Sequence, residues 1–287
     1  MRGLVAAALI AAAIPAAGQT ADSSPSLSAA PPPVASPAPD LVVASPGGVL
    51  PALGNEARRY GRDTLGLLTA PLSWDRRDRE KAAAFAVILG GLFLADKSID
   101  HQATESRSST TDSVSSATTP FGAEGGFAVS AVLVAAGLAF HDPATRDMGR
   151  DALEAAVIAG LLDNAVKRIS GRERPINSNG QTVFEPGSSN ASFASGHTTV
   201  AFAVASVIAA RSPGWVIPGI AYTAATLVAM DRINSRAHFA SDVFAGAVLG
   251  TVTGRWLVHR HEAEAEGSRA TVELVPEANG IDARIRF

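Results

Sequence analysis

Ser192-Phe193-Ala194-Ser195-Gly196-His197-Thr198-Thr199 opens a long apolar run at 200–210. The run predicts a helix, with Ser and Thr standing where an N-cap stands. Gly196 lets another group come close to the backbone. Such a helix start presents free N–H groups and the positive end of the macrodipole, a setting for an anion and for phosphate above all. His197 stands at that mouth as a candidate proton donor. Read alone, such an octet is more often a plain helix cap, so its weight depends on the stretches to either side.

Five further apolar segments flank it, at 82–95, 125–140, 152–166, 214–230 and 243–258. The 287 residues are 47% hydrophobic and 18% charged, so most of the chain reads as buried helix. The expected fold is all-α, a bundle of about six core helices. The Ser/Thr-rich stretch 96–124 is long for a structureless loop and predicts a helix or a lid. Residues 51–81 are amphipathic and charged, and predict short helices across the outside of the core. Past Arg260 an acidic run leads to alternating segments at 271–275 and 281–287 around Asn279-Gly280, a hairpin signal. No cysteine is present, which excludes disulfides, thiolate metal sites and a cysteine nucleophile. The net charge of -3 argues against a nucleic-acid binder.

Met1-Arg2-Gly3, an apolar stretch and small residues at Ala16 and Gly18 read as a cleavable export signal over 1–18. Residues 19–50 are a Pro/Ala/Ser linker. The domain itself is expected over 51–262, with 263–287 as an extension. The uncharged runs are mostly shorter than the about 20 residues a spanning helix needs. The longest, 212–230, holds Pro213 and Pro218. Six spans after an export signal would also put the acidic 96–124 stretch on the cytoplasmic side, against the positive-inside tendency. The expectation is therefore an exported periplasmic bundle, soluble or in peripheral contact with a membrane.

Two stretches decide the chemistry. Lys167-Arg168-Ile169-Ser170-Gly171-Arg172-Glu173-Arg174-Pro175 follows the third apolar segment and packs bases into a local anion trap. It also reads as a basic helix C-terminus that suits the dipole. Asp231-Arg232-Ile233-Asn234-Ser235-Arg236-Ala237-His238-Phe239-Ala240-Ser241-Asp242 joins the fifth segment to the sixth. His238 and Asp242 are four apart and share a face of a helical turn. A carboxylate on one imidazole nitrogen leaves the other free to attack, although a structural His–Asp cap reads the same way.

Taken together, the order is Lys, six residues, Arg-Pro; then Ser-Gly-His; then Arg, five residues, His, three residues, Asp. It resembles the type-2 phosphatidic acid phosphatase and vanadium haloperoxidase superfamily, over about 82–260. The resemblance implies a helical bundle that hydrolyses phosphate monoesters or diphosphates, lipid or soluble. It implies His238 as nucleophile, Asp242 as its orienting group and His197 as general acid and then base. It implies Lys167, Arg174, Arg232, Ser195 and the Gly196 amide as the phosphate cradle. No metal is needed in that scheme, because side chains supply the positive charge; vanadate is the cofactor if the chain is instead a haloperoxidase. A third reading is a non-catalytic envelope protein that keeps the fold. Ala194 replaces the family's frequent Pro, and Asp231 its usual Ser. A carboxylate beside a phosphate site is unfavourable unless it points away or pairs with a base. Arg236 follows a Ser as the family's arginine does, but Arg232 has the right distance to His238. Spacing is the firmer guide, because the backbone sets it. His101, His141, His259 and His261 match no motif and read as surface or packing residues.

Overall fold

Helix boundaries in this chain are set by local chemistry. Asp75 accepts a hydrogen bond from the Asp78 amide and starts one helix. Ser108 and Thr111 cap each other's backbone reciprocally and start another. Asp142 caps a third, with Pro143 at its first position, and Gly171, at φ 54°, ends it. The computed structural model describes residues 46–178, 182–269, 271–277 and 280–286. Its helices are α1 (Pro46–Thr69), α2 (Arg76–Glu105), α3 (Ser109–Thr118), α4 (Ala123–Ala139), α5 (Pro143–Ser170), α6 (Pro175–Ser178), α7 (Gly196–Arg211), α8 (Val216–Asn234) and α9 (Ala240–Arg269). Strands β1 (Thr271–Glu277) and β2 (Gly280–Arg286) pair antiparallel, from Thr271 opposite Arg286 to Glu277 opposite Gly280. The fold is all-α with a terminal hairpin, as the sequence predicts.

The core lies among α5, α7, α8 and α9. Ala152, Ala155, Ala156 and Ala159 of α5 meet Val200, Ala203 and Val207 of α7, Ala225 and Val228 of α8, and Leu257 of α9. Small residues let the backbones approach. Gly246, Gly250 and Gly254 form a row on α9, and a Cβ on any of them would strike α7 at Ser195, Thr199 or Ala203. That row sets the start of α9 beside the start of α7, where the Ser195 amide donates to the Asp242 carbonyl at 3.1 Å.

Several expectations shift in detail. The 96–124 stretch is the end of α2 followed by α3, so the predicted helix is there. The acidic run after Arg260 belongs to the last turns of α9. α1 begins at Pro46, inside the stretch read as linker. The proposed export signal and the linker up to residue 45 lie outside the described residues.

The expectation of a soluble periplasmic bundle is overturned. α2 and α8 are long and apolar enough to cross a membrane, and α3 with α4 forms a third candidate, bent by 50°. Only 6% of the most apolar stretch of α2 is buried within the chain. Val87 and Leu94 on it are 76% and 89% exposed, a poor face for water and a good one for lipid. Counting uncharged runs ends the segment at Asp96 and the exposed Lys97, whereas the helix continues to Glu105, and Asp96 and Asp100 do not reach its surface. They are the buried residues of α2, turned inward to arginines. Pro218 sits in the first turn of α8, where no intrahelical donor is lost. The chain reads as a membrane protein. In washed membranes it is expected to resist carbonate and to be released by nonionic detergent; release by carbonate alone would contradict the assignment.

Candidate active site

Three loop-to-helix junctions meet at one end of the bundle: the end of α5, the start of α7 and the start of α9. Gly171 turns the chain out of α5 with a positive φ, and a Cβ there would collide with the Glu185 carbonyl. Residues 171–173 then pair with 183–185, including an antiparallel bridge between Arg172 and Phe184. The Ser192 amide donates to the Arg172 carbonyl at 2.9 Å, which fixes the approach to α7.

His238 is buried in the turn before α9. Its Nδ1 lies 2.7 Å from the Ser192 carbonyl oxygen and 3.7 Å from Asp242 Oδ2. A carbonyl only accepts, so Nδ1 carries the proton and Nε2 is left with its lone pair. Asp242 is fully buried and saturated. The Ser192 hydroxyl donates to its Oδ2 at 2.6 Å, the Phe239 amide to the same atom at 2.8 Å, and Arg172 Nη1 to its Oδ1 at 2.5 Å. Burial pushes the His238 imidazole below its ordinary range, helped by the positive charges of Lys167 and Arg174 and opposed by Asp242. Asp242 stays low despite burial, through His238 and Arg172.

Lys167 reaches the same place from α5. Its Nζ donates to Asp163 Oδ2 at 2.5 Å, one turn earlier on the helix. Both groups lie against Gly196: a Cβ there would sit 2.7 Å from Lys167 Nζ and 2.8 Å from the Asp163 oxygen. The sequence reading of Gly196 as a point of close approach therefore has its cause. Ser195 is fully buried at the N-cap of α7, and its hydroxyl accepts from Thr198 at 3.0 Å. Arg174 is exposed, and its guanidinium has no hydrogen bond or ion pair among the described residues.

His197 lines a cleft of about 400 Å³ with Asp163, Lys167 and Gly196. Its side chain is 31% exposed, and Nε2 stands 3.5 Å from Glu124 Oε2. A Cβ on Gly122 would collide with its ring, so the α3–α4 connection closes one side. Burial and the Arg232 charge lower its pKa, and Glu124 opposes them.

Asp231 does not stand free beside the site. It pairs with Arg232 and accepts from Ser115 and from Thr119, the latter at 3.1 Å. Arg232 also donates to Thr119 at 3.0 Å. Arg236 points elsewhere: it grips both oxygens of Asp100, at 2.9 and 2.7 Å, and the Pro175 carbonyl at 3.3 Å. The sequence reading missed Ser192 as the partner of His238, and Arg172, Asp96 and Asp100 as members of the network. Acids inside an apolar segment were the available signal.

A second cluster lies at the far end. Asp63, Glu154 and His261 come within 4.8 Å of one another, which sequence spacing concealed. Glu154 is 13 residues before Lys167 on α5, about 20 Å along the axis. Burial pushes its carboxyl up to about 8 against the pull of Arg59. Arg59 approaches Glu154 to 2.8 Å and Arg260 approaches Asp63 to 2.8 Å, so arginines balance the acids there.

Parts of the chain are similar to known proteins. Residues 149–266 match the family model of the PAP2 superfamily. A lipid A 1-phosphatase of Porphyromonas gingivalis is 37% identical over 108 residues, covering 36% of this chain and 21% of the relative. One of Rhizobium etli is 38% identical over 99 residues, covering 33% and 42%. One of Rhizobium johnstonii is 37% identical over 99 residues, covering 33% and 40%. The chain thus spans less than half the length of these curated relatives. Among solved structures, a transmembrane PAP2 type phosphatidylglycerolphosphate phosphatase from Bacillus subtilis aligns with TM-score 0.48 and 24% identity, over 63% of this chain and 96% of that one.

Proposed function

On a core that is PAP2-like, we propose that this chain is a metal-independent phosphatase. It cleaves phosphate monoesters or diphosphates through a phosphohistidine on His238, and its substrate is a lipid phosphate. The observation that carries the mechanism is the 2.7 Å contact of His238 Nδ1 with the Ser192 carbonyl, which leaves Nε2 bare in a basic pocket. The exposed apolar faces of α2 and α8, and relatives that are lipid A 1-phosphatases, support the lipid.

Lys167, Arg174 and Arg232, with the Ser195 hydroxyl and the Gly196 amide at the start of α7, hold the phosphoryl oxygens and the charge that develops on them. Nε2 attacks phosphorus while the bond to the leaving oxygen breaks. His197 gives that oxygen its proton. The phosphorylated ring is positive, and Asp242 stabilises it. His197, now neutral, takes a proton from water; the water oxygen bonds to phosphorus, the P–N bond breaks, and inorganic phosphate leaves.

The test is phosphate release by the purified full chain in detergent, with lipid phosphates and soluble monoesters side by side. Release from a lipid phosphate, unchanged in EDTA, is the expected result. Loss in EDTA with recovery on a divalent ion would contradict the side-chain scheme.

The pKa directions predict an acid-shifted profile. His238 attacks as the neutral ring, so a lowered pKa carries the acidic limb of kcat/KM below the ordinary imidazole value of about 6.5. His197 donates as the protonated ring, so its lowered pKa also carries the basic limb below that value. With a dinitrophenyl leaving group, which needs no proton, the basic limb is expected to vanish.

A further inference from the structure

α2 presents an apolar surface and buries two acids. Ionisable groups inside such a segment are costly, so a paired one marks a task. Asp96 takes both arms of a short network. Its Oδ1 accepts from the Ser241 amide at 3.0 Å, and its Oδ2 from the Ser241 hydroxyl at 2.5 Å and from Arg172 Nη2 at 2.6 Å. Arg172 is 0% exposed, and its other arm holds Asp242 Oδ1 at 2.5 Å. Its guanidinium lies over the rings of Phe239, Phe93 and Phe184, at 4.1, 4.9 and 5.3 Å. Phe239 follows His238 directly. No water-facing surface screens these charges.

We propose that Arg172 and Asp96 are positioning residues that set the charge behind the nucleophile: Arg172 offsets Asp242, and Asp96 offsets Arg172. The inference rests on His238 as the attacking group. Asp96, Arg172 and Asp242 carry −1, +1 and −1, and their sum leaves Asp242 its full hold on the ring. Without Asp96, Arg172 would draw Asp242 away from His238. Without Arg172, two carboxylates would stand behind the ring. The other charged and titratable groups facing His238 are Asp163 and Lys167 of α5, Arg174 after it and His197 of α7. None of them bonds Arg172 or Asp96 among the described residues, so they form a constant background.

A merely structural network would respond to either loss in the same way, whereas this one responds with opposite signs. The measurement is the NMR titration of the His238 ring in the ¹³C,¹⁵N-histidine-labelled full chain in detergent, its signal identified by its loss in His238→Gln. Asp96→Asn, which keeps shape and an acceptor for Ser241, is expected to lower the midpoint, on the order of half a pH unit or more. Arg172→Met, which keeps an apolar stem among the three Phe rings, is expected to raise it. The double variant restores the local charge sum and is expected to return toward the parent value. The acidic limb of kcat/KM should move with the ring in each case. Shifts of the same sign in both single variants, or an unmoved midpoint in Asp96→Asn, would overturn the proposal. If Arg172→Met does not fold, the sign in Asp96→Asn decides alone. The ring titration needs no turnover, so an inactive protein would count against the phosphatase reading while leaving this test intact.

Discussion

His238→Ala is expected to abolish turnover, on the order of 10⁴-fold or more in kcat, because no other group takes over from a lost nucleophile. His197→Ala is expected to cost about 10²- to 10⁴-fold, the worth of a positioned general acid. The two losses differ in kind. In the proposed mechanism His238 supplies the bond to phosphorus, and no other group replaces it. His197 there supplies only a proton, so a nitrophenyl substrate is expected to recover part of the rate in His197→Ala and none in His238→Ala. The check is kcat/KM for alkyl and nitrophenyl phosphates in both variants, at equal helicity by circular dichroism. Equal recovery in the two would mean that the roles are misassigned.

Arg232→Ala is expected to remove about 3 kcal/mol of transition-state stabilisation, roughly a hundredfold in kcat/KM. Arg236→Ala is expected to cost about tenfold or less in rate. Geometry supports the distinction. Arg236 is turned away, with both arms on Asp100 and Pro175. Its loss strands a buried carboxylate, so it should appear in stability, at about 2 kcal/mol once the partial exposure of the guanidinium is discounted. Arg232 lies between the Asp231 carboxylate and Thr119, on the side from which its charge reaches His197. Paired kinetics and thermal unfolding of the two single variants separate the effects. A larger kinetic loss in Arg236→Ala would show that the third motif has been read in the wrong register.

Much of this was legible in the chain. Each of the six apolar segments lies on a helix, although the first, 82–95 on α2, turns its apolar surface outward rather than into the core. The three polar stretches stand at helix ends, and helix ends that share one end of a bundle must meet. Spacing favours Arg232 over Arg236 for the same reason: a fixed stretch of backbone limits how far a side chain can stand from His238. What escaped was pairing across the chain. Asp96 and Arg172 are 76 residues apart, and nothing local marks them as partners. That pairing also helped to hide the membrane face of α2, beside the exposed Lys97, since a charge count cannot tell an acid turned inward from one turned outward. Asp63, Glu154 and His261 escaped likewise, being drawn from three different helices. Asp231 reads as unfavourable from sequence alone, but Arg232, Ser115 and Thr119 surround it.

The central claim is a phosphoryl group carried on His238 Nε2. The direct measurement is an acid-avoiding denaturing quench of the full chain turning over a ³²P-labelled lipid phosphate, followed by peptide mapping. The label is expected on the peptide that contains His238, stable in alkali and lost in mild acid, and absent from His238→Ala. Label on any other residue, or acid-labile label that survives in His238→Ala, would contradict it.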